Sequence, residues 1–322
     1  MNGRAELEAR LNEELRERIN SRHLPDFFFE VAGLEGEALD ASVLRIIDPS
    51  RSDDLGRELR GEDFRVERII REFKRPTLLV RNGSFESVVS EVWSKTLESH
   101  RASIEGALPA VGRIEVKNHN KYAWVGTGFL VATDILATNR HVAEEFARRD
   151  GSGFAWKLNN RGRRIQPRID FREEYQLPDE EEFKLLEVLY LAAEEEPDLA
   201  LLRVDATDLK AQPLDLQADR DNVEFVGAVG YPWRDSRVEP HLLGAMERYF
   251  QGIFDVKRFA PGTLISVDNG DVGHDCTTLG GSSGSAVLDL TTGGVLGLHY
   301  GGYDNVNVAV PATVVQDRLA AL

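Results

Sequence analysis

Three polar residues in this sequence have the types and the chain order that nucleophilic hydrolysis requires. Ser283 lies in the glycine-rich run Gly280–Ser285, His141 follows a strand-like apolar segment, and Asp198 opens the apolar run Leu199–Leu202. A serine hydroxyl is a weak nucleophile at neutral pH, so it needs a base within hydrogen-bond reach. The base in turn needs a partner that fixes its tautomer. The order His, Asp, Ser therefore predicts a histidine base, an orienting aspartate and a serine nucleophile.

The glycines around Ser283 predict a tight turn that aims backbone N–H groups at one point. Gly281 precedes Ser283 by two positions and Gly284 follows it directly. The N–H groups of Gly281 and Ser283 are the predicted oxyanion hole, in which each donor contributes about 3 kcal/mol to transition-state stabilisation. Ser282 and Ser285 compete with Ser283 by composition alone, but only Ser283 stands in a Gly-x-Ser-Gly frame.

The segments around these residues resemble the trypsin-like (chymotrypsin-fold) serine peptidases, most closely their disulfide-free bacterial branches, such as the glutamyl endopeptidases and the HtrA-type proteases. The resemblance extends over about residues 108–322, and the segments that carry it are Gly126–Leu130, Thr138–Val142, Pro197–Leu202 and Gly281–Val287. It implies two perpendicular six-stranded β-barrels with a cleft between them. His141 and Asp198 would lie on the first barrel and Ser283 on the second.

The predicted fold is therefore mainly β, a double six-stranded β-barrel with a mostly helical N-terminal extension. Residues 1–105 are predicted as the extension because apolar residues recur there at helical spacing, as in Leu7–Ile19, 66–73 and 88–104, with a strand at 77–80. Short β-branched runs broken by glycine then predict a peptidase domain over 106–322. The predicted parts are barrel 1 at about 108–208, barrel 2 at about 213–310 and a helix at 313–322. The run Leu185–Leu191 is predicted as one buried strand between solvated acidic flanks.

The resemblance also implies a pocket for P1, the substrate residue whose carbonyl is attacked. One wall contains Thr277 and Thr278, the other contains His299 and Tyr300, and Gly301 and Gly302 would bind the substrate backbone as an added strand. No aspartate stands at the base position, where Thr277 lies, so cleavage after Arg or Lys is disfavoured. Two alternatives stay open. Thr278 and His299 would hold an acidic P1 residue, as in the glutamyl endopeptidases, or the pocket accepts a small one.

Ser282 stands where many relatives have an aspartate that pairs with a newly freed N-terminal amine. A serine has no charge for such a pair, and no Ile-Val-Gly-Gly-like start occurs near Val111. We therefore expect activity that does not depend on N-terminal insertion after cleavage.

Composition excludes several classes of partner. The chain has 322 residues and a net charge of −16, without a basic cluster, so nucleic acid and anionic membranes are not expected partners. The single cysteine, Cys276, allows no internal disulfide, which together with the lack of an apolar leader predicts a cytoplasmic protein. Neither a cofactor nor a metal is expected, and His23, His100, His119, His241 and His274 are predicted to be structural.

Two classes of function remain open. The first is a serine endopeptidase acting on protein or peptide substrates, with a role in regulated, stress- or defence-linked proteolysis. The second is a catalytically silent peptide-binding module. Residues 1–105 could act as an adaptor, bind a regulatory partner or buttress the domain.

Overall fold

Two closed barrels of six antiparallel strands make up most of the computed structural model, which describes residues 75–322 except 89, 179, 235–239, 268–269 and 304–305. The helical spacings predicted over Leu7–Ile19 and 66–73 lie outside the described residues. The two barrels confirm the predicted mainly β architecture.

The first barrel closes in the order β10-β5-β4-β3-β8-β9. Its strands are β3 (Val111–Lys117), β4 (Trp124–Ala132), β5 (Ile135–Thr138), β8 (Gln166–Asp170), β9 (Glu182–Leu191) and β10 (Ala200–Val204). Side chains that alternate along these strands fill its core, among them the fully buried Ile114, Phe129 and Leu202. A separate hairpin is formed by β6 (Ala147–Asp150) and β7 (Gly153–Trp156).

The second barrel follows the order β11-β14-β15-β16-β13-β12 and closes by pairing β12 with β11. Its strands are β11 (Phe225–Gly230), β12 (Arg258–Ile265), β13 (Val272–His274), β14 (Ala286–Asp289), β15 (Val295–Tyr303) and β16 (Val306–Pro311). The segment 275–285, which contains the glycine-serine run, connects β13 to β14 outside any strand. The barrel therefore presents this connection at one end.

The residues before the first barrel pack onto the second one. The predicted strand is confirmed as β1 (Leu78–Arg81), which pairs with β12 and, on its other side, with β2 (Ser84–Phe85). The predicted third helix consists of two helices, α1 (Glu91–Ser99) and α2 (Arg101–Ala107), which are separated at His100. A single 3₁₀ turn, Leu108–Ala110, leads into β3. Trp93 of α1 is fully buried and meets the ring of Phe225 edge-on, 6.0 Å between ring centroids.

Three further helices complete the described elements: α3 (Arg140–Ala143), α4 (Pro240–Tyr249) and α5 (Ala312–Ala320). Among the residues described, none of the helices is long and apolar enough to cross a membrane.

The acidic stretch forms a strand, β9, but the prediction that this strand is buried is wrong. Leu185, Val188 and Leu191 are buried, whereas Leu186 is 49% exposed. The pairing of β9 with β10 contains two register shifts, which bend β9 locally and leave Leu186 facing solvent.

Candidate active site

His141 and Asp198 meet because the strands next to them pair in register. Thr138 of β5 lies opposite Ala200 of β10, so the residues just after β5 and just before β10 come together at one end of the barrel. Asp198 accepts a hydrogen bond from the backbone N–H of His141 at Oδ1 (3.1 Å), and its Oδ2 lies 2.5 Å from His141 Nδ1. The side chain of Asn139 also joins the two strand ends, because its Nδ2 donates to the backbone carbonyl of Asp198 (3.0 Å).

The surroundings keep Asp198 ionised. Burial alone would raise the pKa of Asp198, but the hydrogen bonds from His141 and the electrostatic interactions with His141 and Arg140 outweigh burial and lower that pKa below its usual value. The side chains of His141 and Asp198 are 19% and 17% exposed. Both side chains are therefore partly exposed to the same degree, and the carboxylate stays charged beside the imidazole.

The turn that carries Ser283 can be formed only with glycine at two positions. Gly281 and Gly284 have φ angles of +91° and +92°, a region that side chains with a Cβ rarely adopt. A Cβ on Gly284 would lie 1.8 Å from the carbonyl oxygen of Thr127, and one on Gly281 would lie 2.4 Å from that of Tyr231. The turn and the first barrel are therefore packed backbone against backbone.

Ser283 is held next to the segment that carries His141. The N–H of Thr127, on β4, donates to the carbonyl of Ser283 (2.8 Å). Beside Thr127, a Cβ on Gly126 would lie 2.9 Å from the Val142 side chain and 3.1 Å from the Ser283 carbonyl. Gly126 thus lies between the backbone of Ser283 and the side chain of Val142, the residue that follows His141.

Two hydrogen bonds fix the peptide planes next to the predicted oxyanion hole. The backbone N–H of Trp233 donates to the carbonyl of Gly280 (2.7 Å), and the hydroxyl of Thr127 donates to the carbonyl of Gly281 (2.9 Å). In a trans peptide the N–H points opposite to the preceding C=O, so the N–H of Gly281 points away from Trp233. The hydroxyl of Thr127 also accepts from the N–H of Tyr231 (3.1 Å).

The side chains of the predicted pocket are largely buried. Thr277, Thr278 and His299 are each at most 5% exposed. Thr277 Oγ1 donates to the backbone carbonyl of Arg75 (2.8 Å). Behind the turn, a cavity of about 10 Å³ holds at most one water molecule; its lining includes Thr77, Arg258, Thr277, Thr278, Ser282 and Ser285.

His299 lies against a second buried histidine. His274 Nε2 is 3.2 Å from His299 Nδ1, and the two rings meet edge-on. Burial, reinforced by the neighbouring imidazole, lowers the pKa of His274 well below its usual value, so this ring is neutral in the folded protein. Tyr300, in contrast, is half-buried, and its hydroxyl donates to Asp271 Oδ2 (2.7 Å).

Strand β15 connects the second barrel to the turn 280–285, which carries Ser283 and is called the nucleophile turn below because Ser283 is the predicted nucleophile. Its residues up to Leu298 pair with β14, and beyond them His299 exchanges hydrogen bonds with the turn, accepting from Gly284 N (2.8 Å) and donating to Ser285 O (2.9 Å). Gly301 and Gly302 pair with β16, and β15 has no strand on its other side there among the described residues. That edge can accept an extended peptide.

Several residues around the turn were not predicted from the sequence. Thr127 belongs to the segment Gly126–Leu130 that carries the family resemblance, but no role was predicted for its side chain. Its buried hydroxyl connects the two barrels. Trp124 and Trp233 pack 5.4 Å apart, and Trp124 lies directly against Gly281. The aromatic residues at 122, 124 and 233 can be seen in the sequence. Their contacts join segments that are distant along the chain, so no short stretch of sequence indicated that they pack together. Within the described part of the chain, no group of His, Cys, Asp and Glu is arranged to hold a metal.

Comparison with known proteins places these residues in a wider context. A family model described as a trypsin-like peptidase domain matches residues 126–298, just over half of the chain. A protein of Lysobacter enzymogenes described as a probable serine protease is 29% identical over 294 residues, covering 79% of this chain and 74% of that protein.

Solved structures with a related arrangement are more distant. A serine endoprotease from Yersinia pestis is 16% identical with a TM-score of 0.47; the match covers 69% of this chain and 65% of that one, slightly less than two thirds of its length. The Rv3671c protease of Mycobacterium tuberculosis, in an inactive form, is 18% identical with a TM-score of 0.42, covering 70% of this chain and 94% of that one.

Proposed function

The chain belongs to the trypsin-like peptidases, a family of serine hydrolases, and on that basis we propose that it is an endopeptidase that forms its acyl-enzyme on Ser283. The observation that carries the proposal is the double contact between His141 and Asp198, at 3.1 and 2.5 Å. In the proposed mechanism Oδ2 of Asp198 accepts a hydrogen bond from the protonated Nδ1 of His141. Nε2 is then left with a lone pair for the hydroxyl proton of Ser283.

The proposed chemistry follows from these positions. Ser283 Oγ attacks the substrate carbonyl while its proton moves to His141 Nε2, and the same proton then passes to the leaving amine as the C–N bond breaks. A water molecule repeats the sequence to release the acid. The N–H groups of Gly281 and Ser283 are the proposed donors to the oxyanion, and the fixed peptide planes around Gly281 support this role because they need no rearrangement.

A covalent probe tests the proposed nucleophile. A fluorophosphonate reacts with an activated serine, so the full chain should be labelled and Ser283→Ala should not be. Ser282→Ala is the matched control, because it removes a neighbouring hydroxyl from the same turn, and it should be labelled like the wild type. Labelling that persists in Ser283→Ala would refute the assignment.

The same probe separates the enzyme from the alternative, a catalytically silent peptide-binding module. A silent module would keep His141, Asp198 and Ser283 but would react with no fluorophosphonate in any form of the chain. The ionised state of Asp198 and its two contacts with His141 favour the enzyme.

The proposed substrate is a protein segment that adds to β15 at Gly301 and Gly302. For P1, an acidic side chain is supported by His299, which His274 backs at 3.2 Å. A small P1 side chain is supported by the burial of both threonines and by the 10 Å³ cavity behind them. A peptide library decides between them: preference for Glu or Asp at P1, lost in His299→Gln, supports the acidic pocket, and cleavage after Ala, Val or Ser supports the small one.

Activation is proposed to need no freed amine. Ser282 lies inside the turn, where its carbonyl accepts from the hydroxyl of Ser285 (2.5 Å) and its N–H donates to Leu279 O (3.0 Å). A full chain with an uncleavable N-terminal tag should therefore be active, and strict dependence of activity on tag removal would contradict this.

The cellular setting proposed here is regulated proteolysis in the cytoplasm, in which residues 1–105 also bind a regulatory partner through surface that does not pack onto the second barrel. The single buried thiol of Cys276 supports a reducing compartment, because the chain can form no stabilising internal disulfide. Fractionation of cells that express the full chain with an internal reporter tests the compartment.

A further inference from the structure

The lead-in segment, Arg75–Val80, runs into β1 and is bound to residues 275–279, which form one wall of the proposed P1 pocket. Arg75 forms an ion pair with Asp275 (2.6 Å between Nη2 and Oδ2), and their side chains are only 4% and 10% exposed. Two residues further along the wall, Thr277 donates its hydroxyl hydrogen to the backbone carbonyl of Arg75 (2.8 Å). Side chain and backbone of one residue thus contact two points of the same wall.

Asp275 transmits this contact to the second barrel. Its Oδ1 accepts from the N–H of Thr263 on β12 (2.6 Å), and its Oδ2 accepts from the hydroxyl of Thr263 (3.0 Å) in addition to Arg75. Arg75 is itself confined, because its guanidinium lies 5.5 Å from the ring centroid of the fully buried Trp93. Such a buried charge pair constrains geometry, since an unpaired charge at this depth is costly.

The pocket wall has further attachments besides Arg75 and Thr263. Residues 275–279 belong to no strand; Asn307 Nδ2 donates to the carbonyl of Cys276 (2.7 Å), the carbonyl of Leu279 accepts from the N–H of Ser282 (3.0 Å), and the Leu279 side chain packs against Met246 and Phe250. The nucleophile turn that follows has its own attachments. Thr127 binds the carbonyls of Gly281 and Ser283, and His299 accepts from Gly284. The wall joins the turn through Leu279 and Ser282, while its other contacts anchor it to the lead-in segment, β12 and β16, and those of the turn anchor it to β4 and β15.

We propose that Arg75 is a positioning residue that sets the shape of the P1 pocket by anchoring Asp275 and Thr277. The inference rests on the proposed endopeptidase function and goes beyond it, because it assigns substrate selection to a residue that lies before both barrels. Arg75 acts through the wall and touches no reacting atom. Loss of the anchor impairs reactions that use the P1 side chain more than reactions that use only the nucleophile and the oxyanion hole.

The test compares two reactions of the same full chain. The variants are Arg75→Lys, which keeps the charge without the planar fork, and the double variant Arg75→Gln/Asp275→Asn, which removes both charges and leaves no buried ion alone. Arg81→Gln is the matched control, because Arg81 is an exposed arginine on β1 of the same segment. Thermal unfolding identifies the folded variants.

For the double variant we expect at least a tenfold loss of kcat/KM on a peptide with the preferred P1 residue, mainly through KM. The rate of fluorophosphonate labelling should change less than threefold, Arg75→Lys should recover part of the loss, and Arg81→Gln should match the wild type. Equal losses in both reactions, or none, would overturn the positioning role. Failure of both Arg75 variants to fold would do the same, because it would make Arg75 an element of fold stability alone.

Hydrogen exchange gives a readout that does not depend on activity. The amides of residues 276–278 should exchange faster in the double variant, while those of 281–285 keep their protection. If the wild type reacts with no fluorophosphonate, the proposed function fails and exchange still decides whether Arg75 holds the wall. If the wild type is active and exchange at 276–278 is unchanged, only the positioning role fails.

Discussion

Asp198→Asn is the substitution that most directly tests the proposed mechanism. The amide keeps one oxygen, which can still accept from the backbone N–H of His141 at the Oδ1 position. Its NH₂ group then occupies the Oδ2 position, 2.5 Å from His141 Nδ1, so it donates to that nitrogen. The imidazole proton is driven onto Nε2, and the base faces Ser283 with a donor where the reaction needs a lone pair.

The size of the effect follows from what is removed. The variant loses both the correct tautomer and the carboxylate that stabilises the imidazolium formed in the transition state, while the shape of the side chain is kept. In related enzymes the same change lowers kcat by about 10⁴-fold, which corresponds to about 5 kcal/mol in activation free energy. The lowered pKa of Asp198 shows that the carboxylate is charged in the resting protein, so the whole of this contribution is available to lose.

The assay is kcat on a cleaved peptide, together with the second-order rate of fluorophosphonate labelling. Asp134→Asn is the matched control, because Asp134 is an exposed aspartate paired with Arg203, and it should change kcat less than twofold. A loss smaller than about 100-fold in folded Asp198→Asn would mean that Asp198 does not set the tautomer of His141.

Three further predictions concern stability. Burial lowers the pKa of His274 below 6.5, so below that pH the unfolded chain takes up a proton that the folded chain does not. The free energy of unfolding should therefore fall as the pH drops below 6.5. His274→Gln should make this pH dependence weaker, as urea titrations at several pH values would show. Lys257→Met should lower the free energy of unfolding by about 3–5 kcal/mol, because it leaves the buried Glu174 carboxylate without its ammonium partner. Adding Glu174→Gln should restore part of the lost free energy in the same urea assay. A chain beginning at residue 106 should lose its cooperative thermal transition because it lacks β1 and α1, whereas a chain beginning at 75 should retain it, as circular dichroism would show.

The candidate catalytic residues and the β character of the domain could be predicted from the sequence because their signals are local. Ser283 lies between two closely spaced glycines, which indicate a tight turn. His141 and Asp198 each border a run of strand-forming residues. Strand alternation and glycine punctuation are read within ten residues, so short windows predict antiparallel β structure. The six strands in each barrel were expected only from the resemblance to the trypsin-like peptidases.

The attachments between distant segments could not be predicted in this way. Arg75 and Asp275 are 200 positions apart, and nothing near either residue specifies the other. The predicted boundary at residue 105 marks a change from helical to strand-like spacing, yet Trp93 before it packs against Phe225 after it. His299 and His274 also meet across the barrel, on strands that both pair with β16.

The partial burial of β9 shows a different limit. The run of leucines at 185–191 has the composition of a buried strand, but the register shifts against β10 turn Leu186 outwards. Such shifts depend on how the barrel closes, which no short window of sequence contains.

The single cysteine gives this protein a built-in sensor of local opening. Cys276 is fully buried in the core of the second barrel, between Asp275 and Thr277, and burial raises the pKa of its thiol, so a folded chain should be almost inert to thiol reagents. Any modification must wait until this segment opens, and its rate then reports the free energy of opening at Cys276. A second cysteine introduced anywhere on the surface would, for the same reason, be the sole attachment point for a dye in the native protein.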